Sequence, residues 1–473
     1  MEDISYDVRC WDIETRKNAK GKITSYRVSW KVSRRLFHES FKTKALADSF
    51  RSELRAAANK AEPFSVSTGR PISWAKTTVT MSWYDLAVAY SDRKWKDASA
   101  KHRADVARVM MLTTMAVLSS DRGKPDDVLL RRALTRYAFN AKQREQAPSD
   151  VASALEWAAK NTEYVETFED VDVIHTVLDK ITTRQRDGKR MAAVTTKKYR
   201  GILHNALEFA VVKKALAINP LTGLKWVSIK TSSEVDRRSV MNPAQGRAFL
   251  EAVKEQAPSG PRLVALYGSM LYCGLRPEEA VEITEDTLVL QPRIWNPETE
   301  QLEDPPEDED WGELWVGAVA PEVAPDWTDD GAKRDRREMP KHRAQGEIRG
   351  PIPVPPVQSR LLREHLVLYG TGKDGRLFRG VRADSVPGDT IRKVFGRARA
   401  KVLTKKELAS PLAKRPYDLR HTYISTLLNA GVPPKQVAEW AGNSVEVLLK
   451  TYTKCLVGDS HAARHRITEA LRR

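Results

Sequence analysis

Cysteine is scarce in this chain. Cys10, Cys273 and Cys455 are the three in 473 residues, an odd and scattered set without the short paired spacing that a zinc site needs. That argues against a disulfide-stapled scaffold and makes a reducing cytoplasm the default. Long apolar runs are missing too. No segment is long and apolar enough to span a bilayer, and the opening MEDISYDVR carries acids with no apolar run, so neither a secretory leader nor a membrane anchor is expected. No internal repeat is evident. Length, with 41% hydrophobic residues, favours two to four domains with sizeable cores.

What the chain has is positive charge. Lys and Arg number 79 against 62 acids, a formal net charge of +17. A polyanion is the most economical partner, because clustered cations release counterions condensed on nucleic acid. An RNA or a membrane surface would attract the same charge.

Between Ile23 and Phe41 the pattern alternates. Tyr26, Val28, Trp30 and Val32 share one face, with Ser25, Arg27, Ser29 and Lys31 opposite, and RLFHESF follows as a second strand after a basic turn. A helix is expected next, with Thr43 as its N-cap and Ala45, Phe50, Leu54 and Ala57 on one side. Such a sheet either lays Arg27, Lys31, Arg34 and Arg35 against DNA or is simply a solvated basic surface; the pattern leaves both open. EPFSVSTGRPISWA, Glu62 to Ala75, reads as a joint. From Ser82 to Val227 amphipathic helical stretches dominate, and Lys197, Lys198 and Arg200, after Thr195 and Thr196 at an expected helix start, are candidates for phosphate contact. A linker leads to a helix opened by Asn242 and Pro243. The acidic ETEQLEDPPEDEDWGE, Glu298 to Glu313, is expected to face solvent away from any DNA.

Four pieces of the last third carry the candidate chemistry. In LYGSMLYCGLRPEEAVEI a helix breaks at Gly274, placing Arg276 at a turn and Pro277, Glu278 and Glu279 in the next helix's first turn. KHRAQGEIRGPIPVPP reads as a hairpin with Lys341 on its leading strand. In YDLRHTY, Asp418 is expected to cap a helix ending at Asn429 to Gly431. Arg420 then lies in the first turn, unfavourable by ~0.3 to 1 kcal/mol unless an anion approaches. In GNSVEVLLKTY, Asn443 or Ser444 caps a short helix that stacks Leu448 and Tyr452 on one face. Singly, each has a bland reading: a surface arginine, a charged hairpin edge, an ordinary cap, a core tyrosine.

Together GLRPEEA, the KHRA hairpin, YDLRHTYISTLLNAGVPPKQVAEWAGNS and VEVLLKTY resemble, in order and spacing, the catalytic domain of tyrosine recombinases, the phage integrases, over Met241 to Leu456. The nearest kin would be integrases of actinobacterial phages or integrative elements. The upstream parts resemble, by position and pattern, that family's arm-binding and core-binding domains. The resemblance implies a multidomain fold: a small N-terminal α+β arm-binding-like module (1–65), an all-α core-binding domain (76–228), and a mainly α catalytic domain with a small β-sheet (236–473).

It also implies roles. Tyr452 would attack a DNA phosphodiester and form a 3'-phosphotyrosyl link, which stores the bond energy so that neither ATP nor a metal or other cofactor is needed. Arg276 and Arg420 would grip the scissile phosphate, Lys341 would protonate the departing 5'-oxygen, and Glu279 would orient its neighbours. The partners implied are double-stranded DNA attachment sites bridged by a homotetramer, in a bacterial, nucleoid-associated setting, with no membrane; whether an accessory directionality factor takes part stays open. The chain departs from the family at two places. Tyr417 and Asn443 stand where histidines are usual, and both keep hydrogen bonding but lose imidazole acid–base capacity. These departures suggest a DNA-binding relative with weak or lost strand exchange as one alternative; a type IB topoisomerase-like enzyme, which shares the covalent step, is the other. His421, about 100° around the helix from Arg420, is expected as a buried, hydrogen-bonded support rather than a proton carrier, and Tyr423 as a packing residue.

Overall fold

The computed structural model describes residues 4–17, 23–74, 79–225, 234–337 and 348–455, together with 468 and 471. Lys341 and most of the tail after Cys455 lie outside these residues.

In the N-terminal module the strand Ile23–Val32 is the spine. It pairs antiparallel with Arg35–Phe41 on one side and with Val8–Cys10 and Glu14–Lys17 on the other. The alternation works as expected: Val28, Trp30 and Val32 are buried, while Lys31, Arg34 and Arg35 are exposed. The helix Lys44–Asn59 covers the inward face, and Thr43 caps it by accepting from the Leu46 amide. Ala47, not Ala45, joins Leu54 and Ala57 in the core. The spacing 47, 50, 54, 57 is the one that keeps a single helical stripe.

The stretch expected as a joint closes this module instead. Phe64–Ser65 pairs with Ile4–Ser5, Phe64 is fully buried, Trp74 packs on Phe50 with ring centroids 5.5 Å apart, and the Trp30 indole donates to the Gly69 carbonyl. Turn residues gave this segment the look of a linker, but its two aromatics anchor it.

The middle region is helical: Trp83–Asp97, Ala100–Thr114, Asp127–Ala133, Ser149–Lys160, Val171–Thr182 and Ala193–Val212 enclose one core. The last of these starts two residues before Thr195, so Thr196 is buried in its first turn, and Lys198 pairs with Asp105.

An unforeseen strap from the C-terminal region docks here. Trp327 enters the core of the helical region beside Trp95, with ring centroids 6.1 Å apart. Arg103 lies 4.5 Å over the Trp95 ring and donates to both carboxylate oxygens of Asp329, at 2.7 and 3.1 Å. Lys142 donates to the Thr328 and Asp329 carbonyls, each at 3.1 Å.

The C-terminal region packs helices around a three-stranded antiparallel sheet of Leu288–Val289, Gly312–Val316 and Arg349–Val354, with Gly312–Val316 central. Its first helix, Pro243–Lys254, opens with the expected Asn242 and Pro243, and Gln245 completes a capping box. The acidic stretch faces solvent only in part. The hairpin Ile294–Asn296 with Gln301–Glu303 is largely exposed, but Asp310 is buried against Arg363 by bonds of 2.6 and 2.7 Å. Its final residues enter the central strand with Glu313 on the exposed face, and Arg363 neutralises Asp310 just ahead of it. The three-part fold class expected from the sequence is the one observed: a β-rich N-terminal module, an α-helical middle and a mixed, mainly α C-terminal region. Among the described residues no helix is long and apolar enough to cross a membrane.

Candidate active site

The helix Val264–Tyr272 stops at a glycine. Gly274 has φ +66°, and a Cβ there would run into the Tyr423 ring, so this sharp exit needs glycine. Two residues later Arg276 takes an extended N-cap conformation ahead of the single turn Pro277–Ala280. Glu279 reaches back to accept from the Arg276 amide at 2.8 Å and from its Nη1 at 2.6 Å. That leaves Nη2 to donate to the Gly442 carbonyl at 3.1 Å and to Asn443 Oδ1 at 3.0 Å.

Arg420 comes from the helix Asp418–Asn429 and is fully buried. Its Nη1 donates to the Gly274 carbonyl, and its Nη2 donates to the Ala441 carbonyl and, at 3.2 Å, to Asn443 Oδ1. Burial, followed by the repulsion of Arg276, pulls its pKa below the ordinary arginine range, and its Nε is buried with no hydrogen-bond partner. The cation does not stay at its own helix's positive end. It reaches the carbonyl end of the helix Pro434–Ala441, where the dipole favours it, so its awkward start is relieved without an anion.

Asp418 is not the cap. Tyr417 holds the cap position with helical φ and ψ of −59° and −24° and no side-chain capping bond, whereas an acidic cap needs extended backbone. Asp418 instead accepts from the Arg415 amide at 3.0 Å and from its Nη2 at 3.1 Å, bracing the entering turn.

Arg349 was missed by the sequence reading. It opens the strand Arg349–Val354, is 1% exposed, and donates from Nη1 and Nη2 to Glu279 at 3.0 and 2.8 Å. Strand alternation gives no signal for it: Arg349 is out of phase with the buried Ile352 and Val354, and it turns inward where the register against the central strand shifts between Leu314 and Val316. Burial pushes the Glu279 carboxyl up, but Arg349, Arg276 and Arg420 outweigh it and bring it down to about 2. For Arg276, burial works against the charge, and Glu279 more than restores it.

Tyr452 ends the helix Val445–Tyr452, which Ser444, not Asn443, caps by accepting from the Val447 amide at 3.2 Å. Asn443 is thereby left to serve the two arginines. Leu448 and Tyr452 are both buried as expected, and burial pushes the Tyr452 phenol well up despite the lowering pull of Arg420. Tyr452 Oη lies 2.7 Å from His421 Nδ1. The Tyr417 ring stands edge-on to His421, with centroids 5.1 Å apart. His421 is thus hydrogen-bonded as expected but part-buried rather than buried, and its partner is Tyr452 itself. Burial brings its pKa down to about 4, so the ring is neutral near pH 7. Tyr423 packs on Gly274, with its hydroxyl buried and unpaired.

Of the six candidates, the structure gathers Arg276, Arg420 and Asn443 through shared hydrogen bonds, sets Tyr417 beside Arg276, and brings Tyr452 and Tyr417 against His421, the residue after Arg420. Lys341 lies outside the described residues. Among the described residues there is no group of three or more His, Cys, Asp and Glu side chains placed to hold a metal ion. What the cluster can do chemically is hold an anion against two guanidiniums beside a hydroxyl nucleophile.

No family model matches the chain, and no curated protein does. Solved structures give partial matches. One is the Tn1549 transposon integrase in complex with transposon right end DNA: TM-score 0.48, 16% identity, 82% of this chain and 99% of that one. Another is the XerH site-specific recombinase bound to difH substrate: TM-score 0.45, 14% identity, 82% and 94% coverage. A lambda integrase dimer bound to a COC' core site gives TM-score 0.39 and 12% identity, covering 91% of each chain.

Proposed function

We propose that this chain is a site-specific DNA recombinase of the tyrosine type, an integrase that cuts and rejoins double-stranded attachment sites to integrate or excise a phage or mobile element. The observation that carries the reading is the shared acceptor. Arg276 and Arg420, far apart in sequence, both donate to Asn443 Oδ1, at 3.0 and 3.2 Å, nine residues before Tyr452. Two guanidiniums that converge on one oxygen can converge on a phosphate oxygen that takes its place.

In this reading the scissile phosphate displaces the amide oxygen, and the arginines stabilise charge gathering on the non-bridging oxygens of the pentavalent state. Tyr452 Oη bonds to phosphorus and the bond to the 5'-oxygen breaks, leaving a 3'-phosphotyrosyl link and a 5'-hydroxyl; the reverse attack by a partner strand's hydroxyl restores the backbone. Glu279 and Arg349 hold Arg276 in place, and Lys341 supplies the proton to the leaving oxygen. The charge of +17 and the exposed Lys31, Arg34 and Arg35 suit a DNA partner, taken by four protomers bridging two sites.

The test is a suicide DNA substrate carrying a cognate core site. A covalent adduct that disappears in Tyr452→Phe is expected, with exchanged sites recovered from intact substrates. Absence of an adduct on a validated site would sink the enzymatic reading and favour a DNA-binding relative, to which the missing imidazoles at 417 and 443 also point. Adducts and relaxed supercoils without exchanged sites would favour a topoisomerase-like activity.

A further inference from the structure

Tyr452 cannot supply its own nucleophile. Its phenol is 2% exposed, and burial raises its pKa, the opposite of what attack on phosphorus requires. The arginines do not overcome this in the free protein. A proton acceptor in place at the hydroxyl is therefore worth a large factor, on the order of 10² to 10⁴ for a positioned base. Neither residue at the family's usual histidine positions can take that proton. Tyr417 carries a phenol, and the Asn443 amide oxygen is occupied by two guanidiniums.

We infer that His421 is the catalytic base of this active site, accepting the Tyr452 hydroxyl proton on Nδ1 as the phenolic oxygen attacks phosphorus.

The inference rests on the recombinase reading and adds to it. Three observations carry it. Nδ1 lies 2.7 Å from Tyr452 Oη, inside the range for direct transfer. The imidazole is held in place by the Tyr417 ring at 5.1 Å, edge-on, and by its seat on the rigid helix that delivers Arg420. The groups acting on His421 leave it uncharged and free to accept: burial dominates, Asp418 favours the cation, and Arg415 and Arg420 oppose it. A phosphate diester at the two arginines adds a negative charge close by, which stabilises imidazolium as it forms. The ledger balances: the O–H bond of Tyr452 breaks and its proton goes to Nδ1; the Oη–P bond forms; the P–O5' bond breaks; the 5'-oxygen takes a proton from the Lys341 ammonium or from water. In the return step imidazolium gives the proton back to the departing phenolic oxygen.

The consequence is that adjacent residues divide the work. Arg420 turns inward to the phosphate site, and His421, about 100° further round, turns to the nucleophile. The imidazole missing from position 417 is supplied from the same helical turn, and Tyr417 becomes the wall that positions it.

The experiment uses the full chain and the suicide substrate. His421→Asn keeps a hydrogen-bonding group near Nδ1 and removes the basicity. It should slow adduct formation at saturating DNA about 10²-fold, with DNA affinity within about threefold of the parent, since charge contacts carry affinity. Replacing Tyr452 with 3,5-difluorotyrosine in the His421→Asn background should recover tenfold or more of the loss, because an acidified phenol needs no base; 5'-bridging phosphorothiolate DNA, whose leaving group needs no acid, should recover nothing. A second measurement needs no substitution at 421: graded fluorotyrosines in the otherwise parental chain should change the rate only weakly, since acidity and nucleophilicity offset when a base assists. Parental rates in His421→Asn, a loss that fluorination leaves untouched, or a steep dependence on phenol acidity in the parental chain would each overturn the role of His421 while adducts still form. A parental chain that forms no adduct would remove the recombinase reading beneath it.

Discussion

Arg349 and Glu279 form a two-pronged ion pair at 3.0 and 2.8 Å in which each side chain is 1% exposed. The pair ties the central sheet to the turn that carries Arg276. Removing one partner leaves an uncompensated buried charge, so Glu279→Gln or Arg349→Met should each cost about 3 to 5 kcal/mol in denaturant unfolding. The double replacement should cost less than the sum. Gly442→Ala belongs to the same test: its φ is +62° and its new Cβ would strike Arg349 Nη1, so it should destabilise comparably without removing either charge.

The same cluster sets an acid limit on stability. His421 is brought from 6.5 to about 4 and Glu279 from 4.5 to about 2, so in each window the folded state binds fewer protons than the unfolded chain. Their stabilisation is complete above pH 6.5 and is lost as pH falls, first through His421 and then through Glu279. At about 1.4 kcal/mol per pH unit, a loss on the order of 3 kcal/mol is expected between pH 7 and pH 4 from His421. Unfolding free energies measured across that range should flatten in His421→Gln; an unchanged slope would assign the loss to other groups.

The turn at Arg276 and the helix that ends at Tyr452 were legible because they sit in short local patterns, a glycine exit before Arg276 and an asparagine or serine cap before Val445, whereas the helix start at Asp418 was not, because Tyr417 holds the cap position with helical backbone. Arg349 was not legible, since burying a cation depends on a carboxylate seventy positions away, which no local period encodes. His421 was read correctly as a hydrogen-bonded residue, but its partner comes from a different helix. The joint at Glu62–Ala75 failed for a similar reason: glycine, proline and serine describe the backbone of that segment, whereas Phe64 and Trp74 decide where it packs.

Trp327 was outside every local pattern as well, and it supplies a prediction about the two large regions. It is 8% exposed and lodges in the core of the helical region while belonging to the C-terminal chain. Trp327→Ala should cost about 3 to 5 kcal/mol if both regions unfold together, as expected for a buried aromatic. Asp329→Asn, which loosens the pair with the nearly buried Arg103, should cost less. Two resolved transitions in calorimetry of Trp327→Ala, against one in the parent, would show that the strap couples the regions; two in both would sink that idea.

Asn443 allows stability and catalysis to be moved in opposite directions. Its amide oxygen already accepts from Arg276 and Arg420, so Asn443→Asp places a full charge at that point and converts two bonds from cation to neutral amide into ion pairs. Thermal stability should rise, by up to roughly 1 to 2 kcal/mol. The carboxylate is also a resident competitor for a phosphate. If both guanidiniums are meant for DNA, adduct formation should drop tenfold or more while non-specific DNA binding changes little. Asn443→Ala should do the reverse to stability, because the buried Arg420 and the part-buried Arg276 lose an acceptor, and should lower adduct formation less than Asn443→Asp does. A stabilised Asn443→Asp that forms adducts at the parental rate would mean that the phosphate does not enter where the two arginines converge.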